Sequence, residues 1–195
     1  MFSSQKIKND LILLIYQDAR TVFRLGDIAM IAGETNFQTL NKKLNYDVHK
    51  GKLLNPRKGI YAKPNYSNEE LAGCVFTPTY ISLEYVLQKA GIIFQYDHRI
   101  TSVSYLSRTI EVNGVTYSFR KLKGELLVNT TGIIRQINNI NMATPERAFM
   151  DTLYLNKDYY FDNLNPLNKE LILKLLPIYH SESVSRKVTK LLLNG

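Results

Sequence analysis

The stretch "GKLLNPRKGIYAKP" (residues 51–64) decides how the first third of the chain folds. Leu53 and Leu54 lead into a turn that contains proline and glycine, and an apolar Ile-Tyr pair follows the turn. Proline fixes its own φ and glycine tolerates a positive φ, so both favour a tight turn. Arg57 and Lys58 lie within this turn. The pattern therefore predicts a β-hairpin with a cationic tip.

Positive charge is concentrated around this hairpin. The 195-residue chain has a formal net charge of +8. Residues 1–64 contain eleven Lys and Arg against five Asp and Glu, whereas residues 65–195 contain fourteen against twelve. Residues 36–63 alone contain seven basic residues and one acid, Asp47. Such a concentration indicates a polyanionic partner, usually nucleic acid. The alternative is a solvated face that only aids solubility.

Two amphipathic helices are predicted ahead of the hairpin. Each has apolar residues at the spacing of one helical face. In the first these are Ile7, Leu11, Leu14 and Ile15. In the second they are Leu25, Ile28, Ala29 and Ala32. Gly33 follows the second pattern and is suited to a sharp helix exit.

A third helix is predicted to begin at Asn36 and to end at Gly51. Thr35 and Gln38 have the spacing of a capping box at its start. The apolar residues of this segment step by three and four positions and predict a narrow core stripe, made of Phe37, Leu40, Leu44 and Val48. On a helical wheel, Thr39, Lys42, Lys43 and Tyr46 fall on the opposite side. The predicted exposed face is therefore cationic and rich in hydrogen-bonding groups.

This order of elements predicts an N-terminal winged helix-turn-helix domain over residues 1–64. Its third helix would enter the major groove of double-stranded DNA, and the hairpin tip would reach the flanking backbone. The predicted DNA-binding residues are Thr35, Asn36, Gln38, Thr39, Lys42, Lys43, Tyr46, Arg57, Lys58 and Lys63. Winged helices also bind proteins, so a module that binds an acidic partner protein is the alternative function.

Residues 65–195 predict an α+β domain, with a small antiparallel sheet and flanking helices. A helix is expected from Thr79, and strands are expected at 101–106 and 125–129. "TIEVNGVTYSF" alternates apolar and polar residues around Asn113-Gly114, which predicts a hairpin with a type I′ turn. Further helices are expected from Thr144, near 167–178 and near 181–193.

The residue types needed for common catalytic sites are not grouped in the sequence. His49, His98 and His180 are far apart and share no ligand spacing with Cys74. No glycine-rich phosphate loop occurs, and no acid is followed two residues later by lysine, as in many Mg²⁺-dependent nucleases. We therefore expect no enzyme activity, no cofactor and no metal, with a nuclease as the least favoured alternative.

The same composition bears on location. A single cysteine excludes an internal disulfide and fits a reducing compartment. The longest apolar runs are shorter than the roughly 20 residues needed to span a bilayer, and no signal peptide is evident. We expect a cytoplasmic protein without membrane contact.

Three segments, in order, resemble the AbiEi-type antitoxins of abortive-infection (type IV toxin–antitoxin) systems. "RKGIYAKP" (57–64) resembles the Arg-x-Gly-x-Tyr wing of that family. "YISLEYVLQKAGII" (80–93) resembles its Tyr-Ile-Ser-Leu-Glu helix. "ATPERAFMDTLYL" (143–155) resembles its Ala-x-Pro-Glu-Lys-Ala-x-x-Asp helix, with Arg147 in place of lysine.

The resemblance implies a transcriptional repressor that autoregulates its own toxin–antitoxin operon. It implies binding to the protein's own promoter, at an inverted repeat. It also implies a functional link to a nucleotidyltransferase-type toxin without a stable complex. Residues 65–195 would then supply the antitoxin function and a weaker, additional DNA contact.

Overall fold

The computed structural model describes residues 10–136 and 138–192 of an α+β chain. Its helices are α1 (Leu11–Gln17), α2 (Leu25–Ala32), α3 (Phe37–His49), α4 (Asn68–Val75), α5 (Glu84–Lys89), α6 (Gly124–Val128), α7 (Pro145–Leu155), α8 (Lys169–Leu175) and α9 (Glu182–Leu192). A 3-10 helix, Leu176–Tyr179, joins α8 and α9. The strands are β1 (Val22–Arg24), β2 (Leu54–Arg57), β3 (Ile60–Ala62), β4 (Thr79–Ile81), β5 (Ile100–Ser104), β6 (Arg108–Val112), β7 (Val115–Lys121), β8 (Ile133–Arg135) and β9 (Asn141–Ala143).

In residues 10–64, helices α1, α2 and α3 pack with a three-stranded antiparallel sheet of order β1-β3-β2. The three predicted helices are confirmed, although Ile7 of the first pattern lies outside the described residues. α2 ends where Gly33 adopts a left-handed conformation at φ 60°, as its position predicted. The buried core of this part consists of Ile15, Phe23, Ile28, Ala29, Leu40, Leu44, Leu53 and Tyr61.

The second sheet has six strands in the order β6-β7-β5-β4-β9-β8. The prediction of an antiparallel sheet was wrong for two of its pairs, because β5 pairs with β7 and β4 pairs with β9 in parallel. These pairings join segments that are distant in sequence, so no local pattern encodes them. The β6–β7 hairpin is confirmed: Val112 pairs with Val115, and both Asn113 and Gly114 have positive φ.

Two assignments in this region were wrong. Residues 79–81, expected to begin a helix, form β4 because Thr79, Tyr80 and Ile81 pair with β5. The helix begins only at Glu84, after Leu83 at φ 61°. Residues 125–129, expected to be a strand, lie mostly in α6, whose Leu126 and Leu127 are buried. A short apolar run does not distinguish a buried strand from a buried helix.

α7 carries a buried polar network. The helix begins as predicted, with Thr144 as N-cap and Pro145 in the first turn. Arg147 and Asp151 are both 0% exposed and form an ion pair at 3.3 Å between Nε and Oδ1. Asp151 also accepts hydrogen bonds from the hydroxyls of Tyr80, Ser82 and Tyr179 at 2.6–2.9 Å. The network ties α7 to β4 and to the 3-10 helix.

The first part of the chain (residues 10–64) and the second part (residues 65–136 and 138–192) are in direct contact through Glu70 on α4. Its buried carboxylate accepts hydrogen bonds from the backbone N–H groups of Thr21 and Val22, at 2.5 and 3.0 Å. Its other oxygen accepts from Asn138 Nδ2 at 2.8 Å. Val22, Ile60 and Ala62 also belong to the large core cluster of the second part. The predicted domain boundary after residue 64 stays a prediction.

Candidate nucleic-acid interface

Asn36 fixes the start of α3. Its Oδ1 accepts hydrogen bonds from the backbone N–H groups of Gln38 and Thr39, at 3.1 and 3.0 Å. Asn36 is therefore the N-cap, and the predicted Thr35–Gln38 capping box was wrong. Asparagine is as good a cap as any residue and lies one position nearer the helix. The side chain of Asn36 is thus used in capping, whereas Thr35 and Gln38 are exposed.

The buried face of α3 differs from the predicted stripe. Leu40 and Leu44 are buried as expected, at 1% and 0% exposure, and Val48 packs at the edge of the same cluster. Phe37 was predicted to be core but is 51% exposed. Asp47, one turn beyond Leu44, is buried instead. The buried face therefore centres on Leu40, Leu44 and Asp47, and Phe37 in the first turn lies to one side of it.

The outer face of α3 is polar and cationic. Of the residues predicted to face outward, Thr39, Lys42, Lys43 and Tyr46 are all exposed. Lys43 Nζ lies 3.8 Å from a carboxylate oxygen of Glu34, in the α2–α3 connection. The other three are open to a partner on the solvent side.

Two asparagines that the sequence analysis left out also lie on this helix surface. Tyr61 OH, from β3, donates to Asn41 Oδ1 at 2.5 Å and lies 3.4 Å from Asn45 Oδ1. Burial raises the pKa of Tyr61, so the hydroxyl stays protonated and can donate. The contact couples α3 to the hairpin.

The hairpin turn is tighter than the predicted one, which included Arg57. β2 ends at Arg57 and β3 begins at Ile60, so only Lys58 and Gly59 lie between the strands. Gly59 has φ 77°, which L side chains rarely adopt. Asn55 Nδ2 donates to the carbonyl oxygens of Arg57 and Ile60, at 3.0 and 2.8 Å. The tip therefore has a defined backbone.

The three predicted basic contacts of the hairpin are placed differently from one another. Lys58 is exposed at the tip. The Arg57 guanidinium carbon lies 6.0 Å from the ring centre of Phe76, so this side chain leans towards the second part of the chain. Lys63 Nζ donates to the carbonyl oxygens of Asp18 and Tyr16 at the end of α1, at 2.6 and 3.4 Å. Of the three, Lys63 is the one whose ammonium is used within the fold.

Ion pairing leaves part of the positive charge uncompensated. Lys43 and Lys52 each have a carboxylate partner at 3.8 Å, Glu34 and Asp47 respectively. Within residues 10–136 and 138–192, Lys42, Lys50, Arg57 and Lys58 form no ion pair. Lys50 Nζ lies 5.6 Å from the ring centre of Tyr46. The arrangement can attract an extended anion and hydrogen-bond to it.

In the part of the chain that the structure describes, no three His, Cys, Asp or Glu side chains are placed to hold a metal ion together. The Cys74 thiol is partly buried, and burial raises its pKa to about 11. None of the helices in the described ranges is both long and apolar enough to cross a membrane.

Among known proteins, this chain has a fold similar to that of a solved structure. No model of a protein family matches the chain. No curated protein matches it. Among solved structures, the crystal structure of RV2827C protein from Mycobacterium tuberculosis is similar, with a TM-score of 0.55 and 13% sequence identity. The match covers 93% of this chain and 74% of that chain. At this identity the similarity concerns the fold alone.

Proposed function

We propose that the protein is a sequence-specific DNA-binding transcriptional repressor whose residues 1–64 form a winged helix-turn-helix. One observation carries this proposal. The exposed face of α3, its C-cap and the β2–β3 hairpin present Lys42, Lys50, Arg57 and Lys58 without ion-pair partners among the described residues. Neutralisation of backbone phosphates by such cations supplies most non-specific DNA affinity.

The element order supports the same proposal. α2 and α3 are joined by a short connection that begins at Gly33, and the β2–β3 hairpin follows directly. Helix-turn-helix proteins place the second helix of such a pair in the major groove. In this arrangement Gln38, Thr39 and Lys42 read base edges, since amide, hydroxyl and ammonium groups all recognise bases there. Lys58 and Arg57 contact phosphate or the minor groove.

Two of the predicted DNA-binding residues also support the fold. Asn36 caps α3 and Lys63 binds carbonyl oxygens at the end of α1. Both therefore hold the surface in shape. Thr35, Lys43 and Tyr46 remain proposed DNA contacts, with Lys43 exchanging its Glu34 partner for phosphate.

The resemblance to AbiEi-type antitoxins extends the proposal to a biological setting. The protein would act in the cytoplasm on its own promoter, at an inverted repeat, and repress a toxin–antitoxin operon. Its functional partner would be a nucleotidyltransferase-type toxin, countered without a stable complex. This part rests on the three sequence motifs.

A second function is favoured by exposed apolar side chains. Phe94, Tyr96 and Tyr160 in the second part of the chain are 68–80% exposed. Exposed aromatic side chains are enriched at protein interfaces. In this alternative the protein is an interaction module, and its basic face meets an acidic partner protein.

The test is a binding assay at fixed salt on the DNA immediately upstream of the gene, beside a scrambled duplex of equal length. The repressor proposal predicts a preference of about 100-fold, or about 2.7 kcal/mol, for the upstream DNA. Equal and weak binding to both duplexes, together with copurification of a stoichiometric protein, would favour the interaction module.

A further inference from the structure

Of the four apolar residues predicted to form the core stripe of α3, Phe37 is the one that is exposed. It is 51% exposed, whereas Leu40 and Leu44 on the same helix are 1% and 0% exposed. It belongs to neither of the two hydrophobic clusters nor to the partly buried residues packed on them. Packing within the two hydrophobic clusters therefore does not account for a phenyl ring at this position.

The position of Phe37 indicates the kind of partner that its side chain would contact. It is the first residue of α3, directly after the N-cap Asn36. Its chain neighbours Gln38 and Thr39 are exposed and polar, and Lys42 follows a little more than one turn later. In helix-turn-helix proteins the N-terminal residues of the recognition helix are those that contact base edges.

The chemistry of the major groove supplies a matching group. The C5-methyl of thymine is its apolar feature, and aromatic or methyl-bearing side chains contact it. An apolar protein surface would also accept a phenyl ring. The surrounding amide, hydroxyl and ammonium groups complement DNA bases and phosphates rather than an apolar surface. We propose that Phe37 is a specificity-determining residue that packs on a thymine methyl group in the major groove; this rests on the proposed function.

The experiment uses the full chain and a pool of random-sequence duplexes. The enriched duplex is resynthesised with each thymine replaced in turn by uracil, which removes only the methyl group. We expect about fourfold weaker binding at one or two positions, the effect of losing one buried methyl contact. The Phe37→Ala variant should bind the thymine and uracil duplexes equally, and Phe37→Leu should keep a preference for thymine.

Leu13→Ala is the matched control, because Leu13 is 55% exposed on α1 and lies outside the proposed contact. It should keep the thymine dependence of the unaltered protein. An enriched duplex whose affinity is insensitive to every uracil replacement would overturn the role of Phe37 alone. So would a dependence that survives in Phe37→Ala. If no duplex is enriched at all, the proposed function fails and this inference fails with it.

Discussion

At the scale of single residues, we expect the stability of the second part of the chain to depend strongly on the buried pair of Arg147 and Asp151. Both are 0% exposed, and the guanidinium also donates to the carbonyl oxygens of Leu126 and Thr131, at 2.7 and 3.1 Å. Burial raises the pKa of Asp151, and the Arg147 charge opposes that shift. The buried charges of Arg147 and Asp151 therefore each depend on the presence of the other.

Loss of one member of this pair should be more harmful than loss of both. Asp151→Asn leaves a buried guanidinium without its counter-charge, which costs about 3–5 kcal/mol in free energy of unfolding. The double variant Arg147→Met, Asp151→Leu should cost less than Asp151→Asn alone. Urea denaturation measures both, with Asp97→Asn as a control. Asp97 pairs with Arg99, whose side chain is 51% exposed, so loss of this pair should cost only about 1 kcal/mol. A double variant that is as unstable as Asp151→Asn, or more so, would contradict this account.

At the scale of elements, α3 illustrates what the sequence could predict and what it could not. The charge pattern, the helix and the hairpin follow from local spacing and turn chemistry, and the structure confirms those elements. The exposure of Phe37 does not follow, because its spacing to Leu40 and Leu44 is that of a core residue. Whether the first turn reaches the core depends on where α2 and the sheet end. The strand at Thr79 was missed for a similar reason, since pairing with β5 overrides local pattern.

Variants of Asn36, the N-cap of α3, can distinguish an effect on stability from an effect on DNA binding. Asn36→Ala removes the acceptor for two backbone N–H groups and should cost about 1 kcal/mol of stability. Asn36→Asp keeps the acceptor and adds a negative charge at the helix N-terminus, so stability should be retained. The same charge would face DNA phosphates and lower affinity, most strongly at low salt, where screening is weakest.

Asn168 gives the matched control for this variant, because it caps α8 through the same pair of hydrogen bonds. Asn168→Asp should change neither stability nor DNA affinity. Thermal unfolding and a binding titration are measured on both variants. Equal DNA affinity for Asn36→Asp and Asn168→Asp would remove the N-terminus of α3 from the proposed interface.

At the scale of the whole molecule, Glu70 joins the two parts of the chain. Its carboxylate accepts from two backbone N–H groups beside β1 and from Asn138. Nothing in the local sequence around Glu70 indicates that its carboxylate accepts a hydrogen bond from a strand residue 48 positions away. The contact between the two parts of the chain, like the parallel pairings of the second sheet, depends on tertiary structure and could not be predicted from local sequence.

Glu70→Ala should loosen the first part of the chain. Buried N–H groups left without an acceptor cost about 1–3 kcal/mol each. Hydrogen exchange at the amides of Thr21 and Val22 should therefore quicken, and the urea midpoint should fall. Glu69→Ala serves as the control, because Glu69 pairs with Lys89 and does not reach β1. An exchange rate at these amides equal to that of the unaltered protein would contradict the role of Glu70.

The central claim is that α3 and the hairpin tip meet DNA phosphates, and the salt dependence of binding tests it most directly. If about five phosphates are neutralised, log affinity should fall with log salt at a slope near −4.5. Arg57→Ala with Lys58→Ala should flatten that slope by up to about two units. Lys174→Ala with Lys190→Ala, which removes two exposed charges of α8 and α9, should leave it unchanged. A slope that is the same in all three proteins would contradict the account.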